Sequence, residues 1–274
     1  MSSKGIYTDL ALPFAVVLLL TFLAGDWGLT WLFNELSIPA IRYFRLLSAL
    51  LTIVVIALWA LSYFSVSRPY PAHLLLAIFS FALLFFLSAR QWEEGARTAW
   101  AMKDFAGILL AFSLSALVAG VFHREEFLLP LSLVAAFMEM SATFLKIIPP
   151  LNVSGFRLPL TTIEFIPFET VTGPPPSILW ADFFFYGFFL AVAEPFRLDL
   201  KKNAFLLTLA LWILATLSHF LHSSKSLPGI PLLVLFFFVL NWKTLRLKRE
   251  EITLSIAFFI AVLLVFGIAI LSLR

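Results

Sequence analysis

Apolar residues run along this chain in long blocks, without the alternation of a half-buried strand or the one-sided stripe of a soluble helix. Nine blocks approach the roughly 20 residues that an α-helix needs to cross a bilayer. They are Leu10–Phe33, Leu46–Phe64, Leu74–Ala89, Phe105–Phe122, Phe127–Leu145, Ile178–Ala193, Ala204–Leu221, Pro228–Trp242 and Ile252–Leu273. The third, sixth and eighth are short, which suits spans that tilt or are partly buried in protein. Most connections are brief and polar. The exception is the stretch from Pro149 to Ser177, with strand-like alternation in Ile163-Glu164-Phe165-Ile166-Pro167-Phe168-Glu169 before Thr172-Gly173-Pro174-Pro175-Pro176. This pattern fits a loop that orders a substrate, and equally an ordinary structured loop between two spans.

Composition sharpens the picture. Of 274 residues 62% are apolar and 13% charged, too little polar surface to clothe a water-soluble globule. In hydrocarbon every backbone amide must be satisfied internally, and the blocks are too long and continuous for barrel strands, so helices are expected. The expected fold is an all-α, polytopic transmembrane bundle of about nine spans, forming a single membrane domain over residues 1–274. Within it, 1–125 are scaffold helices, 126–242 a core with the candidate site, and 243–274 a basic loop and final span. The segment from Met1 to Asp9 reads as the lead-in to a retained first span. With no cysteine and four scattered histidines, no thiolate chemistry and no metal or cofactor is expected. The formal charge of +3 sits in short loops and suits lipid headgroups, not nucleic acid. Alternating the sides gives a near-tie in Lys and Arg, and the cluster Lys243 to Arg249 favours a cytoplasmic N-terminal side.

Most charges lie where they can reach headgroups. Glu139 and Asp182 do not. Glu139 lies about ten residues before Pro149, roughly 15 Å below the end of its span, and Asp182 six residues after Pro176, roughly 9 Å in from the same face. Intramembrane acids cost a few kcal/mol and usually face a cavity or a partner. An antiparallel pair of helices would bring these two face to face. Close carboxyls do not both ionise, so a pair holds one proton between an acid and a base, the machinery that activates water against a peptide bond. Depth alone equally allows each acid to be neutral and bonded elsewhere, or Asp182 to face an inlet near the headgroups. Leu227-Pro228-Gly229-Ile230-Pro231 opens the eighth block on the same face as the start of the Asp182 helix. Paired prolines leave backbone groups open to an extended ligand, although a proline in a first helical turn is also commonplace.

At these residues the chain resembles the presenilin and signal peptide peptidase family of intramembrane aspartyl proteases. Trp180-Ala181-Asp182-Phe183-Phe184-Phe185-Tyr186 is similar to the family's Gly-x-Gly-Asp-Phe-x-Phe-Tyr element, which implies that Asp182 is the second catalytic acid. Leu227-Pro228-Gly229-Ile230-Pro231 resembles Pro-Ala-Leu-Pro, implying that Pro228, Gly229, Ile230 and Pro231 position substrate. Met138-Glu139 then falls where the family has Tyr-Asp, implying that Glu139 is the first catalytic acid. The resemblance covers Phe127 to Trp242. Leu179 and Ala181 stand in place of the motif glycines, and glutamate replaces aspartate, moving the carboxyl by about 1.5 Å. Four spans precede Glu139 where the family has five, and Ile252–Leu273 has no counterpart. The family's topology also puts Lys243 to Arg249 outside.

Other clusters read as ordinary membrane-protein features. Gln91-Trp92-Glu93-Glu94-Gly95-Ala96-Arg97 is similar to the paired glutamates of CAAX-type proteases, but its arginine is one residue too near and it fits a solvated loop. His219 and His222 fit the interface, and His123-Arg124-Glu125-Glu126 a charged turn. Trp27, Trp31, Trp92, Trp100 and Trp242 fit an aromatic belt. The expected function is peptide cleavage within the bilayer, with lipid and transmembrane peptide substrates as partners. The alternatives are a catalytically silent relative that binds membrane segments and a small-solute or proton-coupled carrier using the same acids.

Overall fold

The computed structural model describes residues 38–65, 70–89, 97–122, 124–145, 152–153, 156–157, 162–164, 177–220 and 227–245, with isolated positions between 250 and 264; at some helix ends and in most strands only the backbone is described. Seven α-helices occur among these residues: α1 (Ile38–Ser65), α2 (Tyr70–Ala89), α3 (Arg97–Ala119), α4 (Leu128–Leu145), α5 (Trp180–Ala191), α6 (Leu200–Phe220) and α7 (Ile230–Asn241). A 3-10 turn, Glu125–Phe127, leads into α4. Among the described residues three helical stretches, Tyr70–Leu87, Met102–Ala119 and Leu200–Leu217, are long and apolar enough to cross a membrane. The first expected block, Leu10–Phe33, lies outside the described residues, as do Gln91 to Ala96, His123, His222, Thr172 to Pro176, Arg246 to Arg249 and most of Ile252–Leu273.

Several expected boundaries are corrected. The third block is not short, because α2 starts at Tyr70 and runs 20 residues, with Pro71 at the start of the helix where its missing N–H costs nothing. The sixth is shorter than expected. Ser177–Leu179 forms an extended strand, β4, so helix α5 begins only at Trp180 and Asp182 falls in its first turn. The eighth loses its opening residues: Pro228 and Gly229 precede α7, and Pro231 lies in its first turn. Strand β4 pairs antiparallel with β3 (Thr162–Glu164), in the register Ile163↔Ile178. The alternation read at 163–169 is thus a strand at its N-terminal end, while 165–169 lie outside the described residues. A further antiparallel pair joins β1 (Asn152–Val153) to β2 (Phe156–Arg157).

The main core gathers Ile53 and Trp59 of α1, Phe112 of α3, Leu129 and Leu133 of α4, most of α5, and Leu207, Leu211, Leu233 and Phe237 of α6 and α7. Helix α2 lies outside this group on α3, through Ala77 and Leu84 against Ala106 and Leu110. Its far side exposes Leu75, Ile78, Phe79, Phe81, Phe85 and Phe86, as a lipid-facing helix should. Helix α5 is fixed tightly to α3. The Ser115 hydroxyl reaches both Ala111 O (2.6 Å) and Phe184 O (2.5 Å), and Trp180 Nε1 donates to Gly107 O (2.7 Å). At Gly187 a Cβ would come within 2.9 Å of Ser115 Oγ and 3.0 Å of Phe112 Cδ1. Small residues at a membrane helix crossing permit this approach, and α5 is positioned by it.

Candidate functional site

The site forms at one end of the bundle from three helix ends. Helix α4 brings Glu139, six residues before its last residue, or about 9 Å from that end. Helix α5 brings Asp182 in its first turn, and the Pro228-Gly229 lead-in brings the N-terminus of α7. The carboxyls of Glu139 and Asp182 lie beside each other, close enough for one hydrogen bond to join them. Both side chains are removed from the surface, Glu139 at 9% exposure and Asp182 at 0%.

The pairing does not arise as the chain order suggests. Helices α4 and α5 do not pack along each other; α7 packs against both, and its N-terminus lies against both acids. Glu139 accepts two backbone hydrogen bonds there, from Gly229 N (3.3 Å) and Ile230 N (2.8 Å). The first amides of a helix have no intrahelical partner, and here a carboxyl from another helix satisfies them. Asp182 lies against the other side of the same segment. A Cβ at Gly229 would collide with Asp182 Oδ1 and with Leu214 Cδ2 of α6, and would stand 2.6 Å from Asp182 Cγ. Glycine is required at 229 by this approach alone, since its φ of −98° suits any residue. Ile230 and Pro231 are buried with it.

All the residues singled out in sequence, Glu139, Asp182 and Pro228 to Pro231, therefore fall in one cluster. The extra methylene of Glu139 is used, since it reaches the Gly229 and Ile230 amides. Gly229 passes close against the Asp182 carboxyl, an approach that any side chain at 229 would block. Sequence reasoning missed Leu214, which lies against Gly229, and the seating of α5 by Ser115 and Gly187. A glycine inside the apolar α5 was the available signal for the second. Nothing in the sequence marks Leu214 among the many leucines. Tyr186, the last residue of the quoted motif, is fully buried and bonds Thr208 Oγ1 of α6 (3.1 Å), which donates in turn to Ala204 O (2.5 Å).

Among the described residues no group of three or more His, Asp or Glu is placed to hold a metal ion. Of the other sequence candidates, Arg124 is exposed beside the Glu125–Phe127 turn and Trp242 is exposed at the end of α7. The side chains of Trp100 and His219 lie outside the described residues.

Known proteins do not extend this picture. The chain matches no family model, no curated protein and no solved structure.

Chemically, the arrangement is a pair of adjacent buried acids able to share a proton, with one member bonded to open backbone at a helix N-terminus. A hydrogen bond between two carboxyls needs one proton to occupy it. Such a pair can accept a proton from water and give one to a carbonyl oxygen in the same event.

Proposed function

We propose that this protein is a multi-pass membrane hydrolase of the presenilin-like kind, an intramembrane aspartyl-type endopeptidase that cleaves transmembrane or signal-type helices with Asp182 and Glu139. The observation that carries this reading is the contact between the two carboxyls across the α7 N-terminus. Stability alone favours apolar or neutral polar groups at a buried helix junction, and two acids there are costly unless they act. Nine spans remain the proposed topology.

In this reading the resting acids are closed off from lipid and water. Helix α4 joins the described bundle chiefly through α7, so displacing α4 opens the acid pair without unpacking α5 from α3. Its outer face is apolar and exposed at Val134, Phe137 and Met138, the last adjacent to Glu139 in sequence. A helical substrate reaches the acids along that face. Strand β4 ends where α5 begins, so an unwound substrate stretch pairing with its edge lies close to Asp182.

The test is cleavage by the purified full-length chain in lipid vesicles containing single-span peptides, with products read by mass spectrometry. Wild type is expected to release fragments cut within the apolar span, and Asp182→Asn and Glu139→Gln to release none. Peptides that bind equally to wild type and variants without being cut would support the silent relative. Solute or proton flux lost in the same variants, without cleavage, would support a carrier.

A further inference from the structure

Two acids that share a proton are not yet assigned roles, and the hydrogen bonds around Glu139 assign them. Gly229 N and Ile230 N can only donate, and both point at the Glu139 carboxyl, one to each oxygen. A carboxylate is acceptor-only, whereas a carboxylic acid must spend one oxygen on its own proton. With both oxygens engaged by amides, the bond to Asp182 is best made with Glu139 again accepting. The amides also open helix α7, whose N-terminal end carries a partial positive charge that favours an anion.

We infer that the Gly229–Ile230 backbone amides hold Glu139 as the carboxylate and thereby fix the shared proton on Asp182, making Glu139 the base and Asp182 the acid. The positioning elements are thus main-chain amides, and Gly229 is needed so that they can come this close beside Asp182. Glutamate at 139, in place of the shorter acid, supplies the reach. The role assignment rests on the protease reading; the proton assignment does not. In the forward step Glu139 takes a proton from water as the water oxygen bonds to the scissile carbonyl carbon, and Asp182 gives its proton to the carbonyl oxygen. Glu139 then passes its proton to the amide nitrogen, the C–N bond breaks, and Asp182 takes a proton from one hydroxyl of the diol. One water has been added across the peptide bond, and the proton is again on Asp182.

The decisive experiment reads protons, not turnover. Infrared difference spectra of purified full-length protein at neutral pH, with H/D exchange to mark carboxyl bands, compare wild type with Asp182→Asn. A protonated-carboxyl C=O band present in wild type and absent from Asp182→Asn is expected. Survival of that band in the variant places the proton on Glu139 and overturns the inference. In the Asp182→Asn background, replacing the 229–230 amide by an ester, through an α-hydroxy acid at position 230, removes the 2.8 Å donor and should bring a protonated-carboxyl band back. Glu139→Asp in the same background withdraws the carboxyl from both amides by about 1.5 Å and should do the same, so an ester protein that fails to assemble leaves the question answered. No returning band in either variant overturns the role of the amides. A protein that shows these bands but cuts no peptide keeps its proton assignment and loses the protease reading. One that cuts peptides with the bands reversed loses the assignment alone.

Discussion

Helix α7 is tied to its neighbours by a buried polar cluster at each end, and the two clusters differ in kind. At its C-terminal end Asn241 faces Asn203 of α6 in a reciprocal amide pair, with Asn241 Nδ2 donating to Asn203 Oδ1 (2.6 Å) and Asn203 Nδ2 to Asn241 Oδ1 (3.3 Å). The remaining amide protons go to Phe237 O and Asp199 O, both at 2.9 Å. Everything there is neutral and matched within the protein. At the N-terminal end the same helix is held by two acids and two main-chain amides. A membrane bundle that needs polar glue has the amide pair as its inexpensive solution. The acid cluster is the costlier way to make the same connection, and that contrast is why chemistry, not architecture, is assigned to it.

Mutation should separate the two ends most sharply in what each loses. Asp182→Asn and Glu139→Gln are expected to abolish cleavage; thermal unfolding in detergent should stay near the wild-type midpoint in Asp182→Asn, whose amide can still donate to Glu139, and should fall in Glu139→Gln, which sets an NH2 group against one of the two backbone N–H donors. Asn203→Ala is expected to do the reverse. It leaves Asn241 unmatched and costs about 1 kcal/mol of stability, with cleavage per folded molecule unchanged. A loss of stability in Asp182→Asn equal to that in Asn203→Ala would erase the distinction.

Next in size is Gly229→Ala. The added methyl meets the Asp182 carboxyl and Leu214, so the α7 N-terminus must shift away from one or both acids. Displacements on the order of 1 Å in a catalytic group cost about a hundredfold in rate. Cleavage should fall by about that factor, with kcat reduced more than KM is raised. Leu214→Ala in the same background gives the methyl somewhere to go and should recover part of the loss.

Smaller again is Gly187→Ala, which tests whether α5 is seated by its contact with α3. Its methyl would press on Ser115 and Phe112, an overpacking expected to cost about 1–3 kcal/mol in thermal stability and to lower cleavage only through that loss.

The smallest effect is expected at Asp199, in the turn before α6 on the amide-pair side. Its Oδ1 accepts from Lys201 N and Lys202 N, both at 3.1 Å, and Lys202 Nζ lies 3.4 Å from Oδ2. These contacts, the Lys202 amide first, hold its carboxyl below the usual carboxylate range. A lowered folded-state value means that the contribution is complete above the ordinary carboxylate value and disappears as pH falls through the lowered one. Asp199→Ala should therefore reduce the unfolding midpoint slightly at neutral pH, by an amount that vanishes in acid, and leave cleavage untouched.

How far the sequence carried this account can be judged from the same two ends. Glu139 and Asp182 were legible because an acid deep in an apolar block has few ordinary explanations, and Pro228-Gly229-Ile230-Pro231 because paired prolines interrupt a helix. Their meeting was legible only as a shared depth. The route was not: an antiparallel α4–α5 pair was one way for them to meet, whereas α7 joins them. Block boundaries near the site shifted because hydropathy does not distinguish Ile178 and Leu179 in a strand from the same residues in a helix. The Asn203–Asn241 pair went unread altogether, since two asparagines near block ends look like interface residues until the fold sets them opposite each other.

The central claim is that the two carboxyls act as one unit, and binding of a non-cleavable peptide tests it without requiring turnover. A single-span peptide whose scissile amide is replaced by a secondary hydroxyl presents an oxygen to both acids at once. Wild-type protein in vesicles should bind it at least about tenfold more tightly than the parent peptide, and both Asp182→Asn and Glu139→Gln should remove that preference. Equal affinity for the two peptides in wild type, or a preference that survives in either variant, would contradict the account.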